Sequence, residues 1–383
     1  MTGPHLAVAL DGAGWHPAAW REPDARPGEL FTARYWADLV REAEAGTLDF
    51  VTIEDALGVQ SSRPDRPDDR VDQVRGRLDA VLIAARVAPL TRHIGLVPTA
   101  TVTHTEPFHV AKAIATLDYA STGRAGWRVQ VSGRAHEAKH FGRREIPQEL
   151  GANLITDLFD EATDYVEVVR RLWDSWEDDA EIRDAATGRF IDRDKLHYID
   201  FKGRWFRVRG PSIVPRPPQG QPLVTALAHA DVPYQFAQAS TDLVYVTPSD
   251  VDRPALLARR FEPPLLVFAD LAVFLDQTPS QAAARKQRLD ARDGAAFTSD
   301  AATFLGTPAQ LADLLLDWHA AGIDGFRLRP AAIPHDLTAI TRGLVPELRR
   351  RGAFRKAYEA KTLRGLLGLP RPANRYSTVE GVR

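Results

Sequence analysis

Residues 94–133, IGLVPTATVTHTEPFHVAKAIATLDYASTGRAGWRVQVSG, contain one complete strand–helix–strand unit. The apolar run Ile94–Val102 predicts a buried strand, and Trp127–Gly133 predicts a second one. Between them, Pro107–Ala120 places apolar residues three and four apart, and its proline stands where a helix start tolerates one. The stretch therefore indicates two neighbouring parallel strands joined by a helix.

The same unit recurs along the chain of 383 residues. Eight apolar runs predict strands, namely Leu6–Asp11, Phe50–Asp55, Ile94–Val102, Trp127–Gly133, Pro222–Ala228, Leu243–Pro248, Leu265–Leu275 and Gly325–Pro330. Helical spacing predicts helices at Thr32–Ala45, Val71–Val87, Pro107–Ala120, Thr156–Trp176, Pro308–Ala321 and Leu337–Arg351, with QAAARKQRLDARDG (281–294) also expected to be helical. Eight β/α units predict an α/β fold, a (β/α)₈ TIM barrel.

We expect a single barrel domain over residues 1–383, with insertions after strands 4 and 7 at about 177–221 and 277–306 and a C-terminal extension at about 352–383. The first insertion is charged, aromatic and rich in proline. It is too long for an ordinary connection and too aromatic for a disordered linker, so it is expected to pack over one end of the barrel.

Composition excludes several classes of function. A formal net charge of −2 without a sustained basic stripe argues against a nucleic-acid partner. The absence of cysteine removes disulfides, thiolate catalysis and cysteine-ligated metals. No stretch approaches the roughly 20 apolar residues of a membrane span, and no basic region precedes the brief apolar run at the N-terminus, so we expect no membrane association and a cytoplasmic protein.

In barrels of this type, the reaction centre lies at the C-terminal ends of the strands. Polar residues expected there include Asp11, His16, Glu54, Asp55, Thr101, Thr103, His104, Arg128, His229, Asp270, Arg327 and Arg329. Histidine suits proton transfer near neutral pH. The alternative is that each is an ordinary loop residue bonded to backbone or water.

The segment HEAKH, His136–His140, matches the H-E-x-x-H pattern of zinc sites. Lys139 would place a cation beside the metal, and no third ligand is evident beyond a guess at Glu161. We therefore expect a loop that happens to match, and no metal site. The chain contains no GxGxxG, GxxxxGK[ST] or GxSxG motif.

Several long motifs, in order, are similar to those of the bacterial luciferase-like flavin-dependent monooxygenases, in the branch of nitrilotriacetate and dibenzothiophene-sulfone monooxygenases. They are WHPAAWREP (15–23), LDFVTIEDAL (48–57), EPFHVAKAIATLDYASTGRAGW (106–127), EVVRRLWDSWEDDA (167–180), HYIDFKGRWFRVRGP (197–211) and LVPELRRRGAFRKAYEAKTLRGLLGLPRPANRY (344–376). The resemblance implies a barrel that takes reduced FMN from a separate, transiently bound reductase and oxygenates a small organic substrate with O₂. A homo-oligomer is also expected.

The resemblance carries site residues with it. Asp55, a candidate cofactor-binding residue, ends the second strand as in relatives, and Thr101 and Thr103 fall in the third-strand segment that borders the flavin ring. His16 and His104 are the candidate catalytic residues. Arg128 replaces an asparagine beside the ring, where it could bond a ring carbonyl but adds bulk and charge.

The phosphate end departs further from the family. Leu158-Phe159 replaces an Arg-Tyr pair, so Phe159 lacks the hydroxyl that reaches the FMN phosphate. In the loop AHADVP, Ala228, Ala230 and Pro233 replace the first glycine, the serine and the second glycine, and Pro233 has no N–H to donate. Asp231 adds a carboxylate near the helix start, expected to cap the helix and to repel a phosphate.

Two alternatives follow from these departures. The barrel could have lost flavin and could use its mouth for a different acid–base chemistry, with the histidines, Glu54, Asp55 and Arg128 as candidate groups. It could also be a non-catalytic relative that binds a ligand or serves as a subunit.

Overall fold

The structure is a computed structural model that describes residues 3–63, 65–248 and 253–377. Eight parallel strands pair in a closed ring, which confirms the predicted (β/α)₈ barrel. In ring order they are β1 (His5–Leu10), β2 (Phe50–Ile53), β3 (Gly95–Thr101), β4 (Gly126–Gln130), β9 (Leu223–Leu227), β10 (Leu243–Val246), β11 (Leu266–Leu275) and β13 (Gly325–Pro330). Each predicted strand overlaps an observed one, with ends that differ by at most a few residues.

Alternation along the strands decides what fills the barrel. On β1, Leu6 and Val8 pack outward against the helices, while Ala7 points inward. Inward-facing aromatic residues, among them Phe50 and Phe268, form a layer across the barrel, and Leu363 of the C-terminal segment packs against it. This layer closes the barrel below the mouth, so any ligand has to enter at the C-terminal ends of the strands.

The helices of the structure, in chain order, are α1 (Ala33–Ala45), α2 (Ala80–Val87), α3 (Pro107–Ala120), α4 (Ala135–Phe141), α5 (Ala152–Asp174), α6 (Asp231–Ser240), α7 (Arg253–Ala258), α8 (Pro279–Asp293), α9 (Pro308–Ala320), α10 (His335–Ala339), α11 (Val345–Arg350) and α12 (Leu363–Leu366). Short 3₁₀ turns lie at Ala19–Arg21, Pro27–Glu29, Ala88–Leu90 and Arg193–Lys195.

Two predicted helices were partly wrong. The helix predicted at Val71–Val87 begins only at Ala80, because the Asp79 side chain accepts the N–H of Leu82 and caps it there. The helix predicted at Leu337–Arg351 is broken by a π-helical turn, Ile340–Leu344, just before Pro346, which has no N–H to continue an α-helical ladder.

Both predicted insertions contain regular structure. Residues 177–221 form two small hairpins, β5 (Glu181–Asp184) with β6 (Arg189–Ile191) and β7 (Phe201–Lys202) with β8 (Arg207–Val208). Residues 277–306 contain α8 and an unpredicted strand, β12 (Ala302–Gly306), which pairs with the end of β11 outside the ring.

The two insertions occupy different positions. Phe201 and Phe206 of the first pack against the outer side of α5 rather than over the mouth. The second approaches the mouth, because Asp300 bonds Arg329 at the end of β13. No helix in the described parts of the chain is long and apolar enough to cross a membrane.

Candidate active site

A cavity of about 590 Å³ opens at the C-terminal ends of the strands and is called the central cavity below. Its size lies within the roughly 300–1,000 Å³ of ordinary ligand sites. It is lined by Asp11, Trp15, Glu54, Asp55, Ala56, Arg77, Arg128, Val129, Gln130, Val131, Ser132, Gly133, Arg134, Leu150, Ile155, Leu158, Phe159, Ala226, Leu227, His229, Ala230, Pro233, Phe236, Asp300 and Arg329. Its polar and apolar residues lie on different sides.

The polar side is built on Arg128, whose side chain is buried. Its Nη1 donates to Glu54 at 2.9 Å and to Thr99 at 2.9 Å, and more weakly to Gln130 at 3.4 Å. Its Nε is buried without a hydrogen-bond partner. Arg128 also lines the central cavity, so its guanidinium can donate to an acceptor of a ligand bound there.

Arg128 belongs to a larger group of charges, the barrel-floor cluster, made of the buried Glu54, Arg128, Asp270, Arg327 and Arg329 and the exposed Asp300. Asp270 accepts from Arg327 Nε at 2.7 Å and from Arg329 Nε at 3.0 Å. Burial raises the pKa of Asp270, but the two guanidinium groups outweigh it and hold the pKa below its usual value. Three cations face three carboxylates, so the cluster offers directed hydrogen bonds rather than a net charge.

The opposite side of the central cavity, called the apolar end, is formed by α5 and the start of α6. Its wall residues are Leu150, Ile155, Leu158, Phe159, Ala230, Pro233 and Phe236, and the rings of Phe159 and Phe236 lie 5.7 Å apart. His229 also lines this region and is exposed. Ala230 precedes α6 in an extended conformation, with no side-chain cap on the helix.

The predicted capping role of Asp231 is wrong. Its carboxylate does not cap α6 and does not line the central cavity; it is 81% exposed and forms an ion pair with Arg260 on the outside. The expected repulsion of a phosphate by Asp231 is therefore weak. The missing donors remain, since Pro233 has no N–H and neither Phe159 nor Ala230 has a hydroxyl.

These contacts test the fit of an FMN molecule. Arg128 and Gln130 fit a planar ring with carbonyl acceptors, and the aromatic walls fit an uncharged body. The apolar end does not fit a phosphate dianion, because it provides neither a hydroxyl nor an uncommitted arginine or lysine among the described residues.

Four of the predicted cofactor-binding residues line the central cavity: Asp55, Arg128, Phe159 and Ala230. Asp55 follows β2 and accepts the N–H of Ala56 at 2.8 Å and that of Ala80 at 3.0 Å. Burial raises the pKa of Asp55. These bonds fix the loop after β2 to the first turn of α2.

Three others lie behind the cavity wall. Thr101 accepts at its carbonyl from the Thr105 hydroxyl at 2.7 Å, Thr103 Oγ1 accepts the Ser132 N–H at 2.9 Å, and Ala228 donates its N–H to Tyr245 at 2.9 Å. None of Thr101, Thr103 and Ala228 is a lining residue, and their cofactor-binding roles stay predictions. They hold the loops that carry the lining residues.

His16 lines a second cavity of about 260 Å³, which shares Asp11, Trp15, Arg77 and Arg134 with the central cavity. Its Nδ1 accepts the N–H of Ala18 at 3.1 Å, so Nε2 carries the proton and donates to Asp290 at 3.1 Å. Burial lowers the pKa of His16, although Asp290 opposes this. Both nitrogens of the neutral ring are thus committed to protein groups.

His104 lies elsewhere, on a backbone with φ of 72°. Its ring stacks on Phe141 at 5.3 Å, its Nδ1 accepts from Arg144 Nε at 3.3 Å, and its Nε2 is buried without a partner. Burial, and then the charge of Arg144, lower the pKa of His104. It lines neither cavity, so the two candidate catalytic histidines do not share an environment.

The HEAKH segment is helical rather than a loop, which corrects that expectation: it lies within α4. Glu137 is fully buried and accepts from Ser132 Oγ at 2.5 Å and from Arg134 Nη1 at 2.9 Å. In the described part of the chain, no three metal-binding side chains are grouped closely enough to hold an ion. Both carboxylate oxygens of Glu137 are therefore bonded to protein side chains.

Acid should destabilise the protein through His16. Its folded-state pKa lies below the unfolded value of about 6.5, so its stabilising effect is full above that pH and is lost as the pH falls through the folded pKa. His16→Gln, which keeps a donor for Asp290, should therefore lower the urea midpoint clearly more at about pH 7.5 than at about pH 5.5. The exposed His229→Gln is the control, and equal penalties for His16→Gln at both pH values would contradict this.

A closed parallel barrel with a half-polar, half-apolar cavity at its C-terminal mouth defines an α/β-barrel enzyme for a small organic ligand. A family model described as luciferase-like monooxygenase matches residues 13–262. The chain belongs to the luciferase-like monooxygenase family, which confirms the resemblance and the predicted enzyme class, a flavin-dependent monooxygenase.

Individual relatives agree over nearly the whole chain. N-acetyl-S-(2-succino)cysteine monooxygenase of Bacillus subtilis (strain 168) is 32% identical, covering 97% of this chain and 98% of the relative. Nitrilotriacetate monooxygenase component A of Aminobacter aminovorans is 31% identical, covering 97% of each chain. A crystal structure of riboflavin lyase with modified FMN and the substrate riboflavin is 25% identical, with a TM-score of 0.83 over 97% of both chains.

Proposed function

We propose that the central cavity is where this chain oxygenates a small organic molecule, using O₂ and reduced flavin delivered by a separate reductase. Related monooxygenases use reduced FMN that a separate reductase supplies. The observation that carries the proposal is the position of Arg128, a buried arginine whose side chain lines a cavity of about 590 Å³. When bound, reduced flavin supplies the electrons that activate O₂.

The residues of the cavity divide the remaining work. Arg128 and Gln130 orient a carbonyl-bearing ring by hydrogen bonding, and the Glu54 carboxylate holds the Arg128 guanidinium in place. Phe159 and Phe236 exclude water from the opposite side. A cavity that excludes water protects reactive species from side reactions.

His16 and His104 keep their predicted roles in proton transfer as part of this proposal. Because both ring nitrogens of His16 are bonded to the protein, its contacts support a positioning role for the loop after β1. His104 Nε2 has no hydrogen-bond partner, but His104 lines neither cavity, so its contacts give no direct route for a proton to a ligand.

The partners are a small organic substrate and a flavin reductase that binds transiently. The expected homo-oligomer and the expected cytoplasmic location also belong to the proposal. The positive and negative charges of the barrel-floor cluster balance. This supports a substrate that is recognised by hydrogen bonds and apolar contact rather than by a strong net charge.

An anaerobic titration with reduced flavin, followed by flavin fluorescence, tests the proposal. Because a hydrogen bond from a charged donor contributes about 1.5–3 kcal/mol, Arg128→Met should weaken binding by roughly 10- to 150-fold. Arg143→Met is the matched control: Arg143 does not line the cavity, is 63% exposed and pairs with the exposed Glu106, so its loss should change affinity less than about threefold.

Two results of this titration would overturn the proposal. One is the absence of saturable binding of reduced flavin to the wild-type protein. The other is unchanged affinity in Arg128→Met when that variant retains the wild-type circular dichroism spectrum.

A further inference from the structure

The apolar end of the central cavity is unsuited to the anionic terminus of a nucleotide-like cofactor. Its described polar groups are the exposed imidazole of His229 and the N–H groups at the start of α6. The start of α6 has few N–H donors to offer, because its third residue is Pro233 and the N–H of Tyr234 already donates to the carbonyl of Ala230 at 2.9 Å. Among the first four residues of α6, the N–H groups of Asp231 and Val232 are the ones that remain to meet an anion.

The arginines near this end are already paired with carboxylates. Arg260 is bonded to Asp231, and Arg134 to Glu137. Arg329, on the polar side, is bonded to Asp270 and Asp300. Recruiting any of them for a phosphate would take a charged partner away from a carboxylate, and for Glu137 and Asp270 that carboxylate is fully buried.

We propose, on the basis of the function proposed above, that this cavity does not select for the 5′-phosphate of the flavin and takes reduced riboflavin at least as tightly as reduced FMN. A phosphate carrying nearly two charges must give up hydration to enter a region bounded by Phe159 and Phe236, and two backbone N–H groups replace only part of it. A hydroxyl-terminated chain loses far less on entry.

Selectivity between riboflavin and FMN does not depend on the contacts to the flavin ring. Arg128 and Gln130 are on the polar side of the cavity and contact the part that riboflavin and FMN share, whereas the apolar end meets the part in which they differ. The ratio of the two affinities therefore reports on the apolar end alone.

The test is a pair of anaerobic titrations of the full-length protein with reduced riboflavin and reduced FMN at about pH 8, where an ordinary histidine is neutral. We expect riboflavin to bind with equal affinity or up to about tenfold more tightly. FMN binding more than about tenfold tighter than riboflavin would overturn the inference and leave the proposed function standing. Binding of neither flavin would instead overturn the proposed function.

A variant that restores hydroxyl donors at the apolar end tests the same inference in the opposite direction. Phe159→Tyr combined with Ala230→Ser adds two hydroxyl groups at the apolar end, the serine at the position before α6 where it can also cap the helix. We expect FMN to bind this variant at least about tenfold more tightly than it binds the wild-type protein, while the affinity for riboflavin changes less than about threefold. An equal change for both flavins, or none for FMN, would show that the phosphate does not lie at this end and would overturn the inference.

Discussion

Gln130→Trp is expected to abolish flavin binding, with an affinity for reduced flavin at least ~100-fold lower than that of the wild-type protein. Gln130 ends β4 and lines the central cavity beside Arg128, so an indole there would occupy the volume into which the ring must fit. Binding is measured by anaerobic fluorescence titration, and turnover by flavin reoxidation in air.

The control for this variant is Gln235→Trp on the exposed surface of α6, which makes the same substitution outside the central cavity. It should bind flavin like the wild-type protein. Both variants should melt within a few degrees of the wild-type protein. Wild-type affinity in Gln130→Trp would place the flavin outside this cavity.

Asp270→Asn is expected to lower the free energy of unfolding by about 3–5 kcal/mol, the usual cost of removing one partner from a buried ion pair. Asp270 is fully buried and bonded to both Arg327 and Arg329. The asparagine keeps the shape of the side chain but leaves three buried arginines facing two carboxylates. Urea unfolding followed by tryptophan fluorescence measures the loss.

Asp313→Asn provides the matched control for this loss. Asp313 also pairs with an arginine, Arg351, but it is 64% exposed, so its replacement should cost no more than about 1 kcal/mol. Similar losses of stability in the two variants would show that the buried ion pairs of Asp270 contribute no more than an exposed pair.

The fold could be predicted from the sequence because each buried parallel strand is a short apolar run followed by a helix with regular spacing. The predicted strand Gly325–Pro330 matches the observed one to the residue, whereas the predicted Phe50–Asp55 and Ile94–Val102 run one or two residues past the paired residues. The helix predicted from Val71 failed because periodicity does not show where a side-chain cap such as Asp79 starts the helix. The strand β12 was missed because it is a short run inside an insertion.

The site was predicted less well, and the reasons are physical. The rule that strand ends build the mouth correctly placed Asp55 and Arg128 at the central cavity. Thr101 and Thr103 lie behind the cavity wall, because the direction of a side chain at a strand end depends on the local turn. Asp300 came from an insertion that no pattern connected to Arg329. The pairing of Asp231 with Arg260 depends on how a distant loop packs, which spacing alone cannot show.

The most direct measurement is a crystal structure of the protein with bound flavin, obtained by soaking with riboflavin and, in a second crystal, with FMN. We predict ring density in the central cavity, with a ring carbonyl within hydrogen-bonding distance of Arg128 and the chain directed toward Phe159 and Phe236. Flavin density at another place on the barrel, or an open cavity without flavin at saturating concentration, would contradict the assignment of this cavity as the flavin site.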